Sequence, residues 1–177
     1  MSSALNNGFS FERFFAANGA SGVLGLGPNS GGPGPSIPTQ ALPGSFGQGV
    51  FINETNTANP YIQFGPAPSG FGNPIASLTG APITNLNVTI NGVSAGTFRS
   101  TIDSGGVQGT IPFKAPTGAT VSVYAPGVAT PLYSFQNGVD YSPSQSSGIM
   151  NTGALIFLQH PIYVSYSPTG VGTTVIY

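Results

Sequence analysis

Cysteine is absent from the 177 residues, which removes disulfide scaffolds, zinc–cysteine sites and thiol nucleophiles at once. Charge is nearly absent as well. Charged residues make up 4% of the chain: Glu12, Arg13, Glu54, Arg99, Asp103, Lys114 and Asp140. Solubility therefore has to come from Ser, Thr, Asn, Gln and exposed backbone. A net charge of -1 gives no electrostatic reason to expect nucleic acid or an anionic membrane surface as a partner. His160 is the single histidine, and one imidazole beside so few carboxylates argues against a metal site. No stretch approaches the ~20 apolar residues that a spanning helix needs, so no membrane-spanning segment is expected. The first residues lack a basic region leading into an apolar run, so no signal peptide is expected in this chain.

What the chain has is turn chemistry. Its 27 glycines and 17 prolines leave little room for helices. One short helix is expected over residues 9–17, where Phe11, Phe14 and Phe15 fall at helical spacing before Gly19 and Gly22 end it. The run Gly31-Gly32-Pro33-Gly34-Pro35 reads as a rigid loop. Short alternating or β-branched segments follow, at 61–64, 86–90, 97–102, 120–124, 131–135, 154–158 and 161–166. Asn91-Gly92, between Val88-Thr89-Ile90 and Val93, is the strongest hairpin signal, because both positions tolerate the positive φ of a type I′ turn. Turn signals at this spacing predict an all-β domain. The length suits one core with attachments rather than two full lobes.

One carboxylate stands apart. Thr101-Ile102-Asp103-Ser104-Gly105-Gly106 places an aspartate where a hydrophobic strand runs into a tight turn. The plain reading is an Asx turn, since Asp-Ser-Gly is ordinary turn chemistry. The sharper reading is half of an aspartic-protease dyad, in which two carboxylates about 3 Å apart share one proton and activate water. The only other aspartate, Asp140, lies in a Ser-Pro-rich stretch with no Thr-Gly or Ser-Gly after it, and reads as a loop residue. A Ser-His-Asp triad using His160 is the rival, and it fails on pattern, because no serine here sits in a nucleophile elbow.

The order of several segments carries a family resemblance. Val23-Leu24-Gly25-Leu26-Gly27-Pro28 resembles the segment that closes the ψ-shaped loop of the first lobe in pepsin-like proteases. Tyr61-Ile62-Gln63-Phe64-Gly65 resembles the strand that crosses between lobes, and Ile102-Asp103-Ser104-Gly105 resembles the second catalytic motif. Together with Ser36 to Gly44 and Pro161 to Pro168, these segments are similar to the C-terminal aspartic-protease domain of mycobacterial PE-PGRS cell-surface proteins. The resemblance implies an all-β pepsin-like fold with little helix, comprising the second lobe plus the end of the first. It divides the chain into an N-terminal segment at 1–22, the end of the first lobe with the inter-lobe strand at 23–78, and a C-terminal β lobe at 79–177. It implies peptide hydrolysis with Asp103 catalytic, Ser104 and Gly105 supporting the catalytic loop, and Gly153 as the ψ-loop glycine. It implies no metal and no organic cofactor, a peptide or protein substrate, and a cell-surface or secreted location.

The departures set a second expectation. The family's first Asp-Thr-Gly and its flap tyrosine lie upstream of the Gly-Leu-Gly segment, and residues 1–22 hold no aspartate. Gly106 stands where pepsin-like enzymes carry Ser or Thr, which loosens the hydrogen bonding around the turn, and Ala154 replaces the aspartate that follows the ψ-loop glycine. With one catalytic Asp the chain is expected to be inactive alone, and to need either a separate N-terminal lobe or self-association. The alternative is a non-catalytic cell-surface β module used for structure or partner binding.

Overall fold

The computed structural model describes residue 19 and residues 24–27, 37–79, 83–168 and 170–177. The helix expected over 9–17 and the loop at 31–35 lie outside the described residues. Two sheets organise what is described. The first has five strands in the order β2-β1-β11-β12-β3, using β1 (Gly49–Asn53), β2 (Tyr61–Phe64), β3 (Ala76–Thr79), β11 (Ile162–Ser165) and β12 (Thr173–Ile176). The second has seven in the order β8-β7-β4-β5-β10-β6-β9. Its members are β4 (Ile83–Ile90), β5 (Val93–Thr101), β6 (Thr110–Ile111), β7 (Thr120–Tyr124), β8 (Tyr133–Gln136), β9 (Ser144–Gln145) and β10 (Met150–Asn151). Among the described residues the helical structure is three 3-10 turns and one α-helix, α1 (Leu155–Gln159), and no helix is long and apolar enough to cross a membrane.

The alternation read from the sequence sets the faces. In β7, Val121 and Val123 are buried while Ser122 and Tyr124 are half-exposed, and in β12 Thr174 and Ile176 point inward. The inward residues of both sheets meet in one hydrophobic cluster that joins Val50, Ile52, Ile162 and Ile176 to Leu86, Val121, Phe135 and Met150. Removing each such side chain from water contributes about 1.5–3 kcal/mol. β1 and β11 lie inside their sheet and are buried on both faces. Val50 and Ile52 face the shared core, while Phe51 packs on the other side against Phe71 and Tyr61, with ring centroids 4.7 and 5.9 Å away.

Hydroxyl and amide pairs stand in for the missing charges. Ser134 donates to Ser122 Oγ across the β7–β8 pair at 2.8 Å, and Thr97 donates to Asn87 Oδ1 across the β4–β5 pair at 2.7 Å. Such cross-strand pairs each contribute a few tenths of a kcal/mol, up to ~1. The β4–β5 hairpin turns at Asn91 and Gly92 with φ of 50° and 78°, both positive as type I′ requires. The Asn91 side chain pins that tip to β7 by accepting from Thr120 N at 2.9 Å.

One expected strand is a helix. Residues 155–158 lie in α1 with Ala154 as its N-cap, and Ile156 and Phe157 are adjacent and both buried while Leu158 and Gln159 are exposed. A strand would send Ile156 and Phe157 to opposite faces. A short apolar run does not separate the two states by periodicity, and here a core that accepts two consecutive side chains decides it.

Candidate active site

The β4–β5 hairpin delivers Asp103 to its place. β5 ends at Thr101, and Asp103 follows as the N-cap of a 3-10 turn over Ser104–Gly106. The Gly105 amide donates to Asp103 Oδ1 at 3.0 Å, which is the Asx-turn bond of the plain reading. A second set of bonds comes from far along the chain. β10 is inserted between β5, to which it runs parallel, and β6, to which it runs antiparallel, so the chain after Asp103 loops out and a later segment threads between its two arms. Thr152 N donates to Thr101 O at 3.1 Å, and Asp103 N donates to Thr152 Oγ1 at 3.3 Å. The Asn151 side-chain amide donates to Asp103 Oδ2 at 2.7 Å, and its carbonyl accepts from Gly153 N at 2.8 Å. Both oxygens of the half-buried Asp103 carboxylate are thus oriented, one from its own turn and one from β10.

The threaded segment turns sharply at Gly153, whose φ is +65°. A β-carbon there would collide with the Tyr141 hydroxyl and lie 2.5 Å from Val107 O. The buried Tyr141 hydroxyl lies 2.8 Å from Val107 O and 3.1 Å from Thr152 O, joining the two loops, and Ala154 N also donates to Val107 O at 2.9 Å. These bonds hold Val107 at φ 39° and ψ −82°, a conformation that costs a β-branched residue about 1–3 kcal/mol. Burial pushes the Tyr141 phenol up to about 12, so it stays a neutral donor across the ordinary pH range.

A cavity of about 330 Å³ adjoins this loop. Asp103, Ser104 and Gly105 form one wall, Phe157 of α1 and Ile162 of β11 another, and Leu26 a third. The Leu26 segment is anchored by the Tyr166 hydroxyl, which donates to Leu26 O at 3.4 Å and lies 2.7 Å from Thr39 Oγ1. The cavity is mostly apolar, and among the described residues Asp103 is the one charged residue in its lining.

Asp103, Ser104, Gly105 and Gly153 therefore come together in one hydrogen-bonded cluster, Gly153 through Asn151. The Ser104 carbonyl accepts from Val107 N at 3.3 Å within the turn. His160 and Asp140 lie outside the cavity lining. His160 ends α1 with Nδ1 2.9 Å from Tyr177 O, and Asp140 caps the turn after β8 by accepting from Gln136 N at 2.7 Å. Asn151, Thr152 and Tyr141 were not singled out by sequence reasoning as site residues. Their signal was faint, because each acts through a contact between segments 11 to 49 residues apart.

The chain matches the PE-PGRS C-terminal aspartyl peptidase-like domain over residues 1–174. It belongs to that family. Its fold is accordingly an all-β, aspartic-protease-like lobe. PE cleavage protein A from Mycobacterium tuberculosis, in strains ATCC 25618 / H37Rv and CDC 1551 / Oshkosh, is 47% identical over 172 residues. The protein of the same name from Mycobacterium marinum is 46% identical over 173 residues. Each match covers 93% of this chain and 30% of the relative, so this PE-PGRS domain spans less than a third of the length of the relatives it matches.

Proposed function

We propose that this domain is the C-terminal part of a pepsin-like aspartic endopeptidase, in which Asp103 supplies one of the two carboxylates that hold and activate the attacking water. The observation that carries the reading is the two-sided hold on Asp103. A turn residue needs only the Gly105 bond at 3.0 Å, yet the second oxygen is fixed by Asn151 at 2.7 Å from a strand 48 residues away, and Asp103 lines a cavity of about 330 Å³.

In the reaction proposed, the ionised carboxylate takes a proton from the water as it attacks the peptide carbonyl, and the protonated one gives its proton to the carbonyl oxygen. Collapse of the tetrahedral species then sends a proton to the leaving amine. Two carboxylates this close cannot both ionise, which divides the roles. Asp140, the other aspartate, accepts from Gln136 N in its own turn and lies outside the cavity lining; in this proposal a separate N-terminal lobe or a second copy supplies the second carboxylate, and the domain alone is inactive. The relatives' name speaks of PE cleavage, and a protein substrate, met at the mycobacterial cell surface, fits this proposal. Apolar walls such as Leu26, Phe157 and Ile162 would receive apolar substrate side chains.

The second reading, a non-catalytic β module with Asp103 as a turn residue, draws on the Gly105 bond. The complete chain, exchanged for the matching C-terminal region of the M. tuberculosis relative, separates the two when assayed on a denatured protein at acid pH. Asp103→Asn keeps the size of the side chain but cannot exchange the proton, and abolishes cleavage, while His160→Gln retains it. Unchanged cleavage in Asp103→Asn would leave the module reading standing.

A further inference from the structure

Gly106 is the point at which this loop departs from pepsin-like enzymes, which place a Ser or Thr hydroxyl there. A β-carbon on Gly106 would lie 2.7 Å from both Nδ2 and Oδ1 of Asn151 and 2.9 Å from its Cγ. The space is therefore taken. What takes it is a side chain that delivers a hydrogen bond to Asp103 Oδ2 at 2.7 Å. The orientation of that amide follows from chemistry, because Gly153 N–H can only donate, so Oδ1 must face it at 2.8 Å and Nδ2 is left for the carboxylate.

The backbone fixes where Asn151 stands. Met150 and Asn151 pair in parallel with Ser100 and Thr101, Asn151 also pairs with Thr110 of β6, and Asn151 N donates to Thr110 Oγ1 at 3.3 Å. We infer that Asn151 is the positioning residue for the reacting carboxylate, holding Oδ2 from β10, and that Gly106 is the space that admits it. The inference rests on the function proposed above, in which Asp103 reacts.

The amide sets the chemistry at Oδ2. A hydroxyl can donate or accept, whereas an amide N–H only donates. A proton on Asp103 is then directed away from Asn151, free to reach a water or a second carboxylate. Among the described residues, Oδ1 accepts from Gly105 and Oδ2 from Asn151, and a carboxylate oxygen with one such bond has a second lone pair to offer the attacking water.

The exchanged chain in the M. tuberculosis relative, assayed on a denatured protein at acid pH, tests this through reciprocal rescue. Asn151→Ala is expected to lower kcat roughly 10- to 100-fold with little change in KM, the scale of a misplaced reacting group. Gly106→Ser alone is expected to lose activity as well, because its side chain collides with Asn151. The double variant Asn151→Ala/Gly106→Ser restores a donor in emptied space and should exceed both single variants. A purely structural Asn151 would not give that sign reversal. Full kcat in Asn151→Ala, or a folded double variant no better than the poorer single one, overturns the inference. Cleavage that survives Asp103→Asn overturns the proposed function and this inference with it, whereas cleavage lost in Asp103→Asn but intact in Asn151→Ala overturns this inference alone. Should Asn151→Ala fail to fold, NMR of the unmodified protein decides. The Asn151 side-chain amide resonance should stand downfield and move on Asp103→Asn, and a resonance at the free-amide position overturns the inference.

Discussion

Gly153→Ala is a perturbation whose cost can be worked out from two separable contributions. The first is conformational: Gly153 has φ +65°, and placing a β-carbon in the left-handed region costs about 1–2 kcal/mol. The second is steric, because the β-carbon would collide with the Tyr141 hydroxyl and lie 2.5 Å from Val107 O and 2.8 Å from Gly109 N. Two of those obstacles are backbone atoms in hydrogen-bonded loops, so relief needs backbone movement, and overpacking of this kind costs about 1–3 kcal/mol. The total is about 2–5 kcal/mol. Gly118 supplies the control, since its φ is +81° and no atom lies within 4 Å of an added β-carbon, leaving only the conformational cost of about 1–2 kcal/mol. Urea denaturation of both variants, compared at constant m-value, reads the difference. Combining Gly153→Ala with Tyr141→Phe should recover only part of the loss, because Val107 O and Gly109 N remain. Equal destabilisation at Gly153 and Gly118 would refute the close packing of the threaded segment against the loop that follows Asp103.

Further expectations follow from neighbouring features. Phe157→Ala should destabilise the domain by about 3–5 kcal/mol, whereas Leu158→Ala, exposed on the next position of α1, should change stability by no more than ~0.5 kcal/mol in thermal unfolding. The buried phenols impose a pH dependence. Because burial raises Tyr133, Tyr141, Tyr163 and Tyr166 above their ordinary value of 10.0, the stability they confer is complete below pH 10 and is lost as pH climbs through the folded values, with Tyr141 ionising near 12. Denaturation midpoints should fall across that alkaline window, and Tyr141→Phe should blunt the fall. Tyr61 and Ile62 are exposed on β2, an edge strand, so Ile62→Lys should reduce any concentration-dependent association seen by sedimentation, as charges on open edges do.

The parts of this molecule that were legible in its sequence are those written in local chemistry. Asn91-Gly92 announced its hairpin because positive φ at two successive residues is a property of the dipeptide itself. The segments at 61–64, 86–90 and 120–124, read as short alternating or β-branched runs, became strands. β1 did not, because Val50-Phe51-Ile52 is buried on both faces and carries no period, and β6, β9 and β10 are two residues long, too short for any pattern. Asp103 could be singled out from Ile-Asp-Ser-Gly, whereas the grip of Asn151 on its second oxygen could not. That contact depends on a parallel pairing between residues about fifty positions apart, and Gly106, the one local trace of it, reads in isolation as a loosened turn.

If Asp103 is one half of a two-carboxylate site, one structure of an inhibited complex will show both halves together. The chain, exchanged into the M. tuberculosis relative, would be crystallised with a peptide whose scissile amide is replaced by a secondary alcohol that mimics the tetrahedral species. The alcohol oxygen is expected within hydrogen-bond reach, about 2.6–3.2 Å, of both Asp103 and a second carboxylate from outside this chain, with Asn151 Nδ2 still donating to Asp103. An alcohol bound away from Asp103, or held there without a second carboxylate, would contradict it.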